Sequence, residues 1–105
     1  MSKTYAIDGS EHLSSAEFIK LYSSKLEEIL EDPNARILLT DFPGCGIFLA
    51  RYLKGHFYRN AVLYHVGNKP SINIAKFTTK GNFSTRKECR AQMINDSDEY
   101  VIFER

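Results

Sequence analysis

The residues best suited to chemistry lie in one short loop, 41–46, which reads Asp-Phe-Pro-Gly-Cys-Gly. The loop follows a strand-like apolar run and precedes an apolar-rich helical segment. The first turn of a helix has unpaired backbone N–H groups and a partial positive charge, so a small-residue loop there can hold an anion. Gly44 and Gly46 would let a phosphate approach the backbone, and Asp41 could accept a hydrogen bond from a ribose or base.

A plain strand-to-helix turn would have the same composition, because the loop is neither a GxGxxG nor a GxxxxGK[ST] motif. Cys45 follows Gly44, beside the predicted helix N-terminus, where the pKa of a thiol can fall. No histidine has an evident reason to pair with it. We therefore interpret Cys45 as a small packing residue.

A second candidate is the segment 67–86, which is long and irregular for a connection in a small domain. It contains two phenylalanines and no acidic residue, and its cations are Lys69, Lys76, Lys80 and Arg86. Such a loop could close over a nucleotide, and these cations together with Lys87 could supply charge to an anionic ligand. The alternative is a solvated loop whose phenylalanines pack on the domain.

Strands and helices alternate around these loops, which predicts an α/β fold. Strands are expected at 4–7, 37–40, 61–66 and 100–103, and helices at 14–31, 46–54 and 85–96. Ser14 and Glu17 form a capping box at the first helix, and Gly55 is a natural C-terminal cap for the second. We expect a single Rossmann-like domain over 1–105, with four mainly parallel strands in the order 3-2-1-4 and three helices on the two faces. A site would lie at the carboxyl ends of the strands, near the change of direction.

Composition excludes several function classes. Lys and Arg number 14 against 13 for Asp and Glu, so no field of one sign points to nucleic acid or a membrane surface, and we expect neither as a partner. The two cysteines make no disulfide framework and no zinc pattern, which suits a reducing cytoplasm. No stretch resembles a signal peptide or a membrane span. We expect no metal and no cofactor.

Several short motifs follow one another in a recognisable order. They are Gly9-Ser10 after the first strand, Asp41-Phe42-Pro43-Gly44 after the second, Tyr58-Arg59-Asn60 before the third, Gly67-Asn68-Lys69-Pro70 after it, Arg86-Lys87-Glu88 in the third helix, and Asp98 before the last strand. This order resembles the SLOG superfamily of Rossmann-like domains, which includes the Smf/DprA and LOG proteins, and within it the small YspA-like branch. The resemblance covers nearly the whole chain.

The resemblance implies binding of a nucleotide or a nucleotide-derived signal. The ligand-binding residues that it predicts are Gly9, Ser10, Asp41, Pro43, Gly44, Cys45, Lys69, Arg86, Lys87 and Glu88. Two positions depart from the family pattern, because Glu11 replaces an arginine that would clamp a phosphate and Gly46 replaces an aspartate. The LOG hydrolase motif, with its catalytic glutamate, is absent. The chain also lacks the phosphate loop and the further helix that the family normally adds. Binding is therefore a better prediction than turnover.

Three functions from different classes stay open. The first is a sensor or sequestering module for a nucleotide-like small molecule, and a compact chain of this type would suit a phage or mobile-element protein. The second is a small hydrolase, whose acid or base would be Asp41, Glu88 or Asp98. The third is a protein-interaction domain that kept the fold and lost the ligand. A small sheet with exposed edges would also favour a homodimer.

Overall fold

The computed structural model describes residues 3–103 and consists of one parallel sheet with helices on both faces. Its strands are β1 (Thr4–Asp8), β2 (Arg36–Thr40), β3 (Ala61–Val66), β4 (Thr78–Phe83) and β5 (Glu99–Ile102). Its helices are α1 (Ser15–Leu30), α2 (Cys45–Gly55) and α3 (Arg86–Asn95). The predicted α/β class with three helices is confirmed. Within the described residues, no helix has both the length and the apolar character needed to cross a bilayer.

The sheet has the order β4-β3-β2-β1-β5, and every neighbouring pair is parallel. The expected βαβ unit is confirmed, because β1 pairs in parallel with β2 in the register Thr4↔Arg36 to Ala6↔Leu38. The four strands foreseen in the sequence stand in the expected order, since β3, β2, β1 and β5 are consecutive. The predicted count of four strands was wrong by one.

The additional strand, β4, lies within the segment that we expected to be irregular. Its sequence, TTKGNF, is largely exposed and shows no alternation of apolar and polar residues, so no strand pattern was visible. It forms as an edge strand on β3, with Val62 opposite Thr78 and Tyr64 opposite Lys80. The strand therefore forms on the backbone edge that β3 offers, and two of its side chains add contacts, since Lys80 donates to Asp96 and the Phe83 ring stacks on Tyr64.

Two apolar clusters cover the two faces of the sheet. Helices α1 and α2 pack on one face, where the largest buried side chains include Phe18, Tyr22 and Leu49. Helix α3 packs on the other face through Cys89 and Met93. It packs mainly against β2, β3 and β4, and it reaches β1 through the cluster that includes Ala6 and through the bond from Arg90 to Asp8.

The connection from β3 to β4 has no helix, yet it is held in place by hydrogen bonds. The Ser71 N–H donates to Asp41 Oδ2 at 2.5 Å. The Asn73 side chain donates to the Phe77 carbonyl at 2.9 Å and accepts from the Phe77 N–H at 3.0 Å. Ala75 and Phe77 are buried in the same cluster as α1 and α2, where they occupy the place of a crossover helix.

The cap predicted for α1 is present in the structure, whereas the cap predicted for α2 is not. The capping box of Ser14 and Glu17 is confirmed. The prediction that Gly55 caps α2 was wrong, because Gly55 is the last helical residue and Phe57 takes the left-handed conformation with φ 55°. The N–H groups of Phe57 and Tyr58 bond back to the last turn of the helix. A left-handed residue other than glycine costs about 1–2 kcal/mol.

Candidate functional site

A wide cleft opens at the carboxyl ends of β1 and β5. From β1 the chain proceeds through β2 and β3 to β4 on one side, and β5 lies on the other, so the strand order changes direction at β1. Such a point leaves a crevice in open α/β sheets. The cleft has a volume of about 1030 Å³ and is lined by residues that include Asp8, Ser10, Glu11, Arg86, Arg90 and Tyr100. The site was expected near this change of direction.

Two arginines of α3 face the carboxyl edge of the sheet together. Arg86 and Arg90 are four residues apart and so lie on one side of the helix, one turn from each other. Their guanidinium carbons lie 5.0 and 4.9 Å from the ring centroid of Phe42, which is buried at the end of β2. This is cation–π geometry, and it orients both planar groups at the edge of the cleft.

Each arginine also has a carboxylate partner at the carboxyl end of β1, where Asp8 is the last residue of the strand and Glu11 lies in the loop after it. Arg86 Nη1 donates to Glu11 Oε2 at 2.7 Å, and the two side chains are 50% and 42% exposed. Arg90 Nε donates to Asp8 Oδ2 at 2.8 Å, where the arginine is 32% exposed and the aspartate only 5%. Burial raises the pKa of Asp8, and this effect exceeds the opposing ones of the Gly9 N–H and the Arg90 charge. One pair is therefore well solvated and the other is largely desolvated.

A second cleft, of about 670 Å³, lies at the carboxyl ends of β2 and β3. Its lining includes Asp41, Pro43, Ser71 and Thr85, and it shares Arg86 with the first cleft. The Asp41 carboxylate is buried and accepts from Ser71, so it holds the β3–β4 connection. Arg86 is thus the side chain that borders both clefts.

The three glycines of the predicted loops are explained by close contacts between elements. A Cβ at Gly44 would lie 2.5 Å from the Ser10 carbonyl oxygen, and Gly44 also has a φ of +77°. A Cβ at Gly46 would overlap the Thr40 carbonyl, and one at Gly9 would lie 2.4 Å from the Tyr22 hydroxyl oxygen and 3.1 Å from Cys45 Cβ. The glycines therefore let the two strand-to-helix loops and the start of α2 pack against each other.

Cys45 lies inside this packing. Its side chain has no exposed surface, and burial, helped by the Asp8 charge, raises the pKa of the thiol to about 12. A thiol with that pKa is protonated at neutral pH and is a poor nucleophile. The burial fits the interpretation of Cys45 as a packing residue.

The residues predicted from the sequence divide into two groups. Gly9 and Ser10 line the first cleft, Asp41 and Pro43 line the second, and Arg86 lines both. The remaining predicted residues lie outside both clefts; they are Gly44, Cys45, Lys69, Lys87 and Glu88. Two other cations of the basic segment do not reach the clefts, because Lys80 pairs with Asp96 and Lys76 lies at the amino edge of the sheet.

Three residues of the site were not predicted from the sequence: Asp8, Arg90 and Tyr100. A signal existed for two of them. Asp8 ends a strand directly before Gly9-Ser10, and Arg90 stands one helical turn after Arg86. No group of three or more His, Cys, Asp or Glu side chains in residues 3–103 is arranged to hold a metal ion.

Comparison with family models, with curated proteins and with solved structures finds no match for this chain. The site must therefore be interpreted from its own geometry.

Proposed function

We propose that this chain binds a nucleotide or a nucleotide-derived signal molecule in the cleft at the carboxyl ends of β1 and β5. The observation that carries the proposal is the pair Arg86 and Arg90, held against Phe42 at the edge of a cleft of about 1030 Å³. Guanidinium groups bind phosphate oxygens in a bidentate manner, so two of them suit a phosphorylated ligand.

A ligand phosphate would bind Arg86 by replacing Glu11 in the solvated Glu11–Arg86 ion pair. An exposed ion pair contributes about 0–1 kcal/mol, so a phosphate can replace Glu11 at little cost. Arg90 is held more firmly by Asp8 and would keep its position. The hydroxyls of Ser10 and Tyr100 line the same cleft as donors for a ribose or base. Burial raises the pKa of Tyr100, so its phenol stays protonated at neutral pH.

We also propose that the chain is a divergent SLOG-like domain of the cytoplasm. The support is the order of its sequence motifs, together with a Rossmann-like parallel sheet and two unpaired, buried cysteines. Binding is favoured over turnover because Arg86 and Arg90 can hold an anion, whereas Asp41 is engaged with the β3–β4 connection and Glu88 lies outside both clefts.

One observation favours a second candidate, a protein-interaction domain without a ligand. Both arginines already have carboxylate partners, so the charge of the cleft is balanced without any bound anion. The neighbouring edge strand β5 exposes Tyr100 and Ile102 by 37% and 48%. An edge strand with apolar side chains can pair with another chain, and a homodimer through β5 would be its simplest form.

A ligand screen separates the two candidates. The probes are nucleoside mono- and diphosphates, cyclic nucleotides, ADP-ribose and inorganic phosphate. Binding at a concentration of 100 Kd stabilises the folded state by about 2.7 kcal/mol, which raises Tm by roughly 10 °C or more. Arg86→Ala should abolish the shift, and Arg51→Ala, which removes an exposed arginine of α2 remote from both clefts, should preserve it. No shift with any probe would favour the interaction domain.

Substitution of Glu11 provides a test in which ligand affinity should rise instead of fall. Glu11→Gln removes the carboxylate that competes for Arg86, so affinity for the active probe should rise by roughly 3- to 5-fold, the equivalent of a weak exposed ion pair. Isothermal titration calorimetry measures the change, with Glu31→Gln as the control because Glu31 is an exposed glutamate at the end of α1. Equal affinity in Glu11→Gln and wild type would exclude the proposed exchange at Arg86.

A further inference from the structure

A third cleft, of about 340 Å³, lies at the amino edge of the sheet, opposite the arginine cleft. It is formed by the end of α2, the approach to β3 and the residues before β4, and its polar lining is Lys54, Arg59 and Lys76. Phe57 and Ile74 are among its apolar residues. The proposed nucleotide site is at the carboxyl ends of the strands, so the two sites share no residue.

Phe57 is the feature of this cleft that folding does not explain. Its side chain is 88% exposed, so the ring adds little to the core. Its φ of 55° is a left-handed conformation, at a helix end where glycine is the usual residue. Exposed apolar residues are common on protein surfaces. A residue with a strained backbone is also common where its side chain packs well in the core. A residue that is both exposed and strained points to a role outside the fold.

The cations around Phe57 differ from the two arginines of the first cleft. Within residues 3–103, no ion pair joins Lys54, Arg59 or Lys76 to a carboxylate. By contrast, Arg86 and Arg90 each have an acidic partner. No acidic side chain of residues 3–103 lines this cleft. This cleft therefore combines an exposed aromatic ring with three cations that form no ion pair among the described residues.

We propose that this cleft binds a short stretch of single-stranded nucleic acid. A base would stack on the Phe57 ring, and the flanking phosphates would lie against Lys54, Arg59 and Lys76. The net charge of +1 provides no long-range attraction, so the contact is local and covers a few nucleotides. An acidic protein segment would satisfy the same cations, but it gives no reason for a flat, exposed ring. The proposal is independent of the function assigned to the arginine cleft.

The decisive variant is Phe57→Gly, because it moves binding and stability in opposite directions. The probe is a fluorescein-labelled oligothymidylate about eight nucleotides long, followed by fluorescence anisotropy at about 50 mM salt. Phe57→Gly should weaken binding by roughly 5- to 100-fold, since one stacked base is lost. It should also raise Tm, because glycine adopts a positive φ without strain. Phe57→Trp should keep binding, and Ile19→Ala, which removes an exposed apolar residue of α1, should leave it unchanged.

The cations give a second, independent measurement. Lys54→Ala and Arg59→Ala should each reduce the slope of log affinity against log salt by about 0.7, the value for one phosphate contact on a single strand. Lys20→Ala removes an exposed lysine of α1 and should not change the slope. Arg86→Ala should bind the oligonucleotide like wild type, although it should lose the nucleotide-induced Tm shift. The proposal is overturned if the oligonucleotide does not bind, if Phe57→Gly binds equally well, or if an oligoglutamate peptide competes with equal affinity. The last result would indicate an acidic protein partner.

Discussion

In the sequence, the glycine loop at the end of β2 is a stronger candidate for an anion site than the arginine cleft beside it. In the structure, the arginine cleft is the stronger candidate. The loop has the composition of a phosphate site, yet Gly44 lies against the backbone of Ser10 and Glu11, and the Cys45 N–H bonds to the Ser10 carbonyl. The cleft has no named motif, yet it opens to solvent with two guanidinium groups on its rim. A glycine beside a helix N-terminus thus indicates that something approaches the backbone, and here the approaching group is the chain itself.

The largest expected effects come from four glycine substitutions that separate backbone strain from close contact. Gly44→Ala combines a positive φ with a 2.5 Å approach to Ser10, and it should cost about 3 kcal/mol, or roughly 15 °C in Tm. Gly46→Ala has the close contact without a positive φ, and Gly67→Ala has the positive φ with open space, so each should cost about 1–2 kcal/mol. Gly55→Ala has neither and should stabilise by about 0.5 kcal/mol.

Chemical denaturation of the four variants measures these free energies. If Gly44→Ala costs no more than Gly67→Ala, the contact with the β1–α1 loop contributes nothing and the loop regains its place as a candidate anion site.

The next largest effect is the difference in stability cost between alanine substitutions of the two arginines of α3. Arg90→Ala leaves Asp8 buried and unpaired, so it should cost about 2–3 kcal/mol at pH 7. Arg86→Ala leaves Glu11 in contact with water and should cost less than about 1 kcal/mol. The pKa of Asp8 is already raised by burial, and loss of Arg90 raises it further. Because the protonated carboxyl is tolerated in the folded state, the Arg90→Ala penalty should shrink as pH falls towards 4.

Urea denaturation of wild type, Arg90→Ala and Arg86→Ala between pH 7 and pH 4 makes this comparison. Equal penalties for the two arginines, or a penalty for Arg90→Ala that grows in acid, would contradict the distinction between a desolvated and a solvated pair.

The smallest effect concerns the far end of α3, which fixes the helix to the sheet. Asp96 accepts hydrogen bonds from Lys80 Nζ at 2.9 Å and from the Tyr64 hydroxyl at 2.6 Å. The Lys80 bond contributes most to lowering the pKa of Asp96 below its ordinary value of 3.8, and the Tyr64 bond adds to it. The stability that the Asp96 charge contributes is therefore present above pH 3.8 and is lost as pH falls through the folded-state pKa.

Asp96→Asn should cost about 0.5 kcal/mol at pH 7, because the group is partly exposed, and the cost should disappear as pH falls below 3.8 and through the lowered folded-state pKa. Thermal denaturation over this range measures it, with Asp32→Asn as the control, since the Asp32 carboxylate accepts from the Asn34 N–H in the turn after α1 and takes no part in the bonds of Asp96. A cost that persists unchanged at pH 2 would assign the effect of Asp96 to packing instead of charge.

Local patterns in the sequence were sufficient for the elements and much of their order. The Ser14–Glu17 capping box, the apolar run of β2 and the nearly unbroken apolar β3 each depend on residues within a few positions of one another. Since short-range propensity and periodicity decide such elements, α1, β2, β3 and the parallel βαβ unit could be predicted. Arg86 was predicted as well, from a short motif in α3.

Tertiary structure alone decided three other features: the Asp8–Arg90 ion pair, strand β4 and the position of Phe57. Asp8 and Arg90 are 82 residues apart, so only the packing of α3 over the carboxyl edge makes them an ion pair. Strand β4 has little strand character of its own and forms because β3 offers an unpaired edge. Phe57 takes the position of a capping glycine because α2 continues through Gly55, and this leaves its ring exposed beside three cations. Contacts between distant segments and competition for helix ends leave no periodic trace in a single sequence.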